Sequence, residues 1–376
     1  MEVDTEDIAY EGQAVARANG EVVLVEQAIP GERLSVRVES RRRGLWRARP
    51  LAVIEASANR VEPPCPYFGA CGGCQWQHIA YDEQLRLKTA IVRDQLRRVG
   101  RFAEPPVLDT IPSPQQWAYR NQVRMSTDEK GRLGFARQLS HEQVPIDECI
   151  VSDPGINRRL AKLQGQGPAG GLAIRASART GETLVDIPGQ EEQVFHEEVA
   201  GRRFRISASS FFQVNTYTAE IVVEETRSRL DLRPSDRLLD AYAGVGLFAA
   251  TLGSAVSEVV AVEESKSAVA DGMFNTMHLE NVRYYQGRAE EVLPRLRKRF
   301  DAAVVDPPRA GLKPGVIGYL NAKPISRLAY ISCDPSTLAR DLRPLTEGSY
   351  ELVGVQPVDQ FPQTHHVEMV AGLRAR

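Results

Sequence analysis

No stretch of this chain carries the ~20 consecutive apolar residues that a membrane helix needs, which argues against a helical membrane protein. The opening MEVDTEDIAYEG is acidic where a secretory leader is basic and then greasy, so the expected location is cytoplasmic. An excess of one charge is missing too: 47 Lys and Arg against 49 Asp and Glu leave a formal net charge of −2. A polyanionic partner would therefore have to be held by local clusters rather than by a global field. Repeats and low-complexity tracts are absent. A composition of 42% hydrophobic and 26% charged residues, with 29 Gly and 23 Pro, excludes disordered, collagen-like and coiled-coil classes. Cysteine is scarce: 5 in 376 residues is no disulfide scaffold, and an odd count in a reducing compartment points to metal or catalytic use.

What cysteine there is has a pattern. Cys65, Cys71 and Cys74 sit together in PPCPYFGACGGCQWQHI, Cys149 stands apart, and Cys333 lies far downstream. The first four supply the thiolates for either zinc or a 4Fe-4S cluster. Zinc ribbons usually pair their ligands as two CxxC knuckles, so this three-plus-one spacing favours iron and sulfur. The CxxxCxxC spacing of radical enzymes is missing, which argues against radical chemistry.

At this length, two or three domains are expected. Residues 1–58 alternate apolar and polar positions in VVLV (22–25) and LSVRVES (34–40), broken at PGE (30–32), and read as a small β-barrel. Arg41, Arg42, Arg43, Arg47 and Arg49 surround Trp46, a combination that suits RNA phosphates and a stacked base, or equally a solvated hairpin edge. Residues 59–205 form a central segment. There Asp82 is expected to cap a helix with Leu85, Val92, Leu96 and Val99 on one face, Arg86, Lys88, Arg93 and Arg97 on the other, and Gly100 as its stop. An antiparallel region holding Cys149 follows. Residues 206–376 alternate helices with short apolar strands that end in Gly, Asp or Pro. That pattern means a doubly wound parallel sheet, α/β in class, binding its ligands at the carboxyl ends of the strands.

Those ends carry the informative residues. In LLDAYAGVGLF a strand delivers Asp240 and turns through Gly244 and Gly246, and the next strand ends in Glu263, where ribose hydroxyls are held in nucleoside-binding sheets. The pair does not by itself separate a dinucleotide from S-adenosylmethionine (SAM). The third glycine that seats a pyrophosphate is absent, position 249 being Ala, and Asp240 suits a cofactor bearing a sulfonium and an amino group. DPPRAG follows with Asp306 at a strand end, two prolines that stiffen a lip, and Arg309 for a phosphate or base carbonyl. Cys333 ends the strand LAYISCDPS, where a helix start is expected to favour its thiolate. FPQTHHVEMV supplies His365, His366 and Glu368. On an extended segment the two histidines would face opposite ways and could not share one metal, so Glu368 reads as a general base. Thiolate, carboxylate and methyl sulfonium together suit C5 of a pyrimidine. A thiol adds to C6, C5 takes the methyl group, and a base removes the C5 proton.

The set SFFQVN, DAYAGVGLF, AVEES, DPPRAG, ISCDP and FPQTHHVE, in this order, resembles the RNA uracil-5-methyltransferases, in the branch with an N-terminal TRAM domain and a 4Fe-4S cluster. The resemblance runs from about residue 5 to the end. It implies a Rossmann-like class I methyltransferase domain with a TRAM, OB-like barrel and a central α+β iron-sulfur domain. It further implies Cys333 as nucleophile, Glu368 as base, SAM contacts at Gln213, Tyr242, Glu263 and Asp306, and cluster ligands at Cys65, Cys71, Cys74 and Cys149. Glu290 is a further acidic residue near the adenine position. Leu247 stands where the family often has Asn, removing one polar contact to the cofactor. The combination is most like the members acting on 23S ribosomal RNA, with the tRNA T-loop as the alternative; a cytosine-5-methyltransferase and a non-catalytic RNA-binding protein rank below. The expected oligomeric state is a monomer.

Overall fold

The computed structural model describes all residues except Arg43, Leu139 and His141. Strands β1 (Glu2–Ile8), β2 (Ala14–Ala18), β3 (Glu21–Val25), β4 (Arg33–Arg42) and β5 (Leu45–Glu55) close a barrel in the order β1-β2-β3-β5-β4. Period-2 alternation turns Val3, Ala14, Ala16, Val23, Val25, Leu34, Val36 and Ala48 inward to fill it.

Helix α1 (Tyr81–Arg98) starts one residue before the expected cap. Asp82 lies inside the first turn, and the cap position is Ala80, which makes no side-chain bond. Gly100 lies just past the helix end, as expected. Lys88 departs from the expected basic face, being fully buried in an ion pair with Asp359, so it is not available to RNA. α1 packs on the C-terminal sheet, with Val92 and Leu96 in that sheet's core.

Strands β6 (Gln122–Thr127), β7 (Leu133–Ala136), β8 (Gln143–Pro145), β9 (Leu172–Ala176) and β10 (Thr183–Asp186) form an antiparallel sheet in the order β10-β9-β6-β7-β8. Helix α2 (Pro154–Leu163), capped by Asp153, packs on β9. A hairpin of β11 (Val194–Val199) and β12 (Arg202–Ser207) leads into α3 (Thr216–Leu230), capped by Asn215.

The remaining elements alternate as expected: β13 (Arg237–Ala241), α4 (Leu247–Leu252), β14 (Glu258–Glu263), α5 (Lys266–Asn275), β15 (Val282–Gln286), α6 (Ala289–Val292), β16 (Ala302–Val305), α7 (Pro314–Ala322), β17 (Arg327–Ser332), α8 (Pro335–Glu347), β18 (Tyr350–Val358) and β19 (Glu368–Ala375). Their seven-stranded sheet has the order β15-β14-β13-β16-β17-β19-β18. The first five strands are parallel, whereas β19 runs antiparallel between β17 and β18. The order reverses between β13 and β16, which opens a crevice at their carboxyl ends. Among the described residues no helix is long and apolar enough to cross a membrane.

Candidate active site

The loop after β13 needs left-handed backbone at Tyr242 (φ 65°), Gly244 (φ 53°) and Gly246 (φ 88°). A Cβ on Gly246 would fall 2.4 Å from the Tyr284 hydroxyl, so only glycine fits there. Glu263 ties the loop to the next helix: it accepts from the N–H groups of Gly244 (2.9 Å) and Ser265 (2.8 Å). Asp240 departs from the expectation. Its carboxylate accepts from the Ala249 N–H (2.9 Å) and lies beneath the loop, not on the cavity wall, so it braces α4 rather than facing a cofactor. Burial pushes its carboxyl up to about 7. Leu247, at the expected Asn position, is buried as the first residue of α4. The Tyr242 hydroxyl is buried and, among the described residues, has no hydrogen-bond partner.

These groups open onto a cavity of about 1330 Å³, lined also by Gln213, Glu290, Asp306, Arg309, Cys333 and Glu368. Strand register explains how the last two meet. β17 and β19 pair Ser332 with Met369, so Cys333, one residue on, stands opposite Glu368. Burial pushes the Cys333 thiol up to about 12, the carboxylates of Glu368 and Asp306 add to this, and Arg309 opposes it by charge and a hydrogen bond. The expected resting thiolate is therefore absent. One reason is that the start of α8 is already capped, by the Asp334 carboxylate accepting from the Thr337 N–H (2.8 Å). Burial and the neighbouring Asp306 hold the Glu368 carboxyl well above the usual range. Burial likewise raises Asp306.

The histidines also differ from expectation. Residues 359–367 form a turn rather than an extended segment, and the rings of His365 and His366 lie together, centroids 4.1 Å apart. Burial lowers both, His365 to about 4 and His366 to about 3, so both are neutral. His366 Nδ1 meets Arg309 Nη2 at 3.1 Å.

Sequence reasoning missed what anchors this turn. Lys88 bonds Asp359 and the Phe361 carbonyl, Gln84 and Gln363 bond each other twice, and Tyr119 donates to the Pro362 carbonyl (2.9 Å). Gln360 Nε2 donates to Gln213 Oε1 (2.8 Å), so an expected SAM contact is tied to the Glu368 segment. Tyr10, on the barrel loop between β1 and β2, donates its hydroxyl proton to Asp334 beside Cys333. In the same loop, a Cβ on Gly12 would lie 2.5 Å from that of His365. No motif signals contacts between residues hundreds of positions apart.

Cys65, Cys71, Cys74 and Cys149 all line the cavity, and all are free thiols. Burial raises Cys65, Cys71 and, to about 12, Cys74; neighbouring thiols of the set add to each shift. Among the described residues, no three His, Cys, Asp or Glu side chains are gathered as a metal-ion site. Three of the barrel arginines are paired, Arg41 with Glu21, Arg47 with Glu11 and Arg49 with Glu39, while Trp46 donates to Glu21; the exposed Arg42 is in no ion pair among the described residues. Arg43 lies outside the described residues.

The profile of the tRNA (uracil-5-)-methyltransferase family matches residues 157–376. An uncharacterized RNA methyltransferase of Halalkalibacterium halodurans is 34% identical over 445 aligned positions, covering 100% of this chain and 97% of that protein. One from Gloeobacter violaceus is 35% identical, covering 97% and 94%. The crystal structure of Pyrococcus abyssi tRNA (uracil-54, C5)-methyltransferase in complex with S-adenosyl-L-homocysteine superposes with a TM-score of 0.78 at 26% identity, over 99% of this chain and all of that one. The fold and crevice thus define a class I, SAM-dependent RNA methyltransferase with an N-terminal TRAM- or OB-like barrel. Within that class, the chain belongs to the tRNA (uracil-5-)-methyltransferase family.

Proposed function

We propose that this enzyme methylates C5 of a uridine in RNA through a covalent Cys333 adduct. The observation that carries the reading is the pairing of Cys333 with Glu368 across β17 and β19, at the mouth of the crevice formed by Glu263 and Asp306. SAM supplies, when bound, an electrophilic methyl group on a cationic sulfonium. The residues present suit it: Glu263 for ribose hydroxyls, the unpartnered Tyr242 hydroxyl, Gln213, and Asp306 for the positive charge. Cys333 Sγ gives its proton to solvent as it bonds to C6, which places the electron pair on the C5–C4–O system. A cation beside Asp306 relieves the field that holds the Glu368 proton, so that Glu368 ionises; after C5 is methylated, its carboxylate takes the C5 proton and the Sγ–C6 bond breaks to restore the ring. Arg309 lowers the thiol pKa, and a cation beside Asp306 removes part of the negative field that raises it.

The 23S rRNA reading gives way to tRNA. The matching family profile and the Pyrococcus abyssi enzyme are both named for tRNA, and nothing comparable favours rRNA, so the proposed substrate is a T-loop uridine. We further propose that Cys65, Cys71, Cys74 and Cys149 hold a 4Fe-4S cluster with a structural role. The support is the three-plus-one spacing and the four free thiols lining one cavity, where Cys149 lies near enough to Cys65, Cys71 and Cys74 to raise each of them. The Gly73 N–H pointing at Cys71 Sγ (3.4 Å) fits as well, since backbone donors commonly surround cluster sulfurs. A cluster spreads its four thiolates over separate irons and so does not need the tight grouping a single ion requires.

Mass-spectrometric mapping of 5-methyluridine in tRNA and rRNA, from cells with and without the gene, tests the target. Loss in tRNA alone is expected; loss in rRNA alone would overturn the tRNA reading. Cys333→Ala should abolish both methylation and the denaturation-resistant adduct with 5-fluorouridine RNA. An adduct that persists would remove Cys333 from the chemistry.

A further inference from the structure

The middle sheet sorts its side chains by face. Val123, Met125, Ile174 and Ala176 are buried in its core, on one side. Gln122 pairs with Arg175 and Arg124 with Ala173, so Gln122, Arg124 and Arg175 share the other side. Arg120, two residues before Gln122, has the same parity. All four residues line the cavity that holds Cys333 and Glu368.

Charge balance sets these arginines apart. Among the described residues, neither Arg120, Arg124 nor Arg175 forms an ion pair, in contrast to Arg41, Arg47 and Arg49 on the barrel. Arg175 is the sharpest case. It is only 4% exposed, yet its Nη2 donates to nothing but the carbonyls of Ala208 (3.3 Å) and Ser210 (2.6 Å). The nearby Asp271 is already engaged by Arg205, Ser207 and Ser210. Burial and the neighbouring Arg124 pull the Arg175 guanidinium down to about 10, so it stays charged at neutral pH. Asp186, on the neighbouring strand, and Asp271 favour its charge from a distance, but among the described residues neither forms an ion pair with it, so an arriving anion would still relieve a buried cation that lies next to a second one. Phe135 and the 69% exposed Phe211 line the same cavity and offer faces on which bases can stack.

We propose that Arg124 and Arg175, assisted by Arg120, hold backbone phosphates of the RNA beside the reacting nucleotide, and that the barrel arginines do not supply the phosphate grip. This rests on the RNA-methyltransferase reading but is tested by binding alone. The measurement is the salt dependence of affinity of S-adenosylhomocysteine-loaded protein for an unmodified tRNA transcript and for oligouridylate. Each lost phosphate contact lowers the slope of log affinity against log salt by ~0.7 on a single strand and ~0.9 on a duplex. Arg124→Gln with Arg175→Gln should thus lower it by about 1.4 on oligouridylate. Arg41→Gln/Arg42→Gln/Arg47→Gln/Arg49→Gln should leave it unchanged. Should the buried Arg175 variant fail to fold, Arg120→Gln/Arg124→Gln carries the same expectation. A wild-type slope in both cavity variants, or a loss confined to the barrel variant, would overturn the proposal. If wild-type protein leaves tRNA unmethylated while the slopes behave as stated, the tRNA reading fails and the phosphate site stands.

Discussion

Replacing Glu368 by Gln separates the two halves of the proposed reaction. The side chain keeps its shape, and burial with Asp306 nearby already drives Glu368 toward its neutral form, so a neutral amide should not lower the thermal stability of the free protein. The first half-reaction should survive, because Cys333 and not Glu368 bonds to C6 in it, and any negative charge on Glu368 only raises the thiol. The second half should fail. A general base contributes about 100- to 10,000-fold, so turnover should fall by that factor while adduct formation persists. Rapid quench with radiolabelled SAM, followed by denaturing gels and nuclease digestion, reads both halves. The expected signature is protein bound covalently to RNA that already carries the methyl group. Turnover within about tenfold of wild type, with no accumulated adduct, would refute the role of Glu368 and the pairing argument behind it.

Burial raises Asp306, which sits beside Glu368, so SAM, a cation, should bind with release of a proton near neutral pH and weaken as pH falls, while uncharged S-adenosylhomocysteine should show little of either. Calorimetry in buffers of different ionisation enthalpy measures this, and equal proton release by the two ligands would contradict it. In the free protein the sign is the reverse for a raised carboxyl: Asp240, at about 7, binds a proton in the folded state, so the part of the stability that Asp240→Asn removes should fall as pH rises from about 4 to 7, while His365 and His366, lowered to about 4 and 3, contribute the opposite trend up to ~6.5. Tyr10→Phe removes the hydroxyl that reaches Asp334, and a lost bond to a charged group should slow 5-fluorouridine adduct formation about tenfold at saturating RNA without changing SAM affinity. An unchanged adduct rate would make the barrel loop a passive neighbour. Cys149→Ser should bleach the brown colour of anaerobically purified protein as fully as Cys71→Ser does; full iron in that variant would break the three-plus-one ligand set.

The amino-acid sequence by itself determined the elements and the residues at their ends. Alternation of apolar and polar positions in LSVRVES produces the inward face of the barrel, and apolar runs ending in Glu263, Asp306 and Cys333 place three cavity-lining groups on one sheet edge, because parallel strands present their carboxyl ends together. That Cys333 faces Glu368 follows only from β19 running antiparallel beside β17, a pairing between segments some 35 residues apart. Charge was the least legible property. Arg41, Arg47 and Arg49 read as a free cationic cluster until Glu21, Glu11 and Glu39 come alongside them in the barrel, and Lys88 reads as a solvated lysine until Asp359 meets it in the interior. Arg175, in a strand with nothing to mark it, becomes a buried cation that pairs with no carboxylate among the described residues. Local pattern decides which face of a strand or helix is apolar, because that depends on neighbours two to four residues away. Whether a charge is spent or available depends on which distant chain packs against it, and that only the tertiary structure decides.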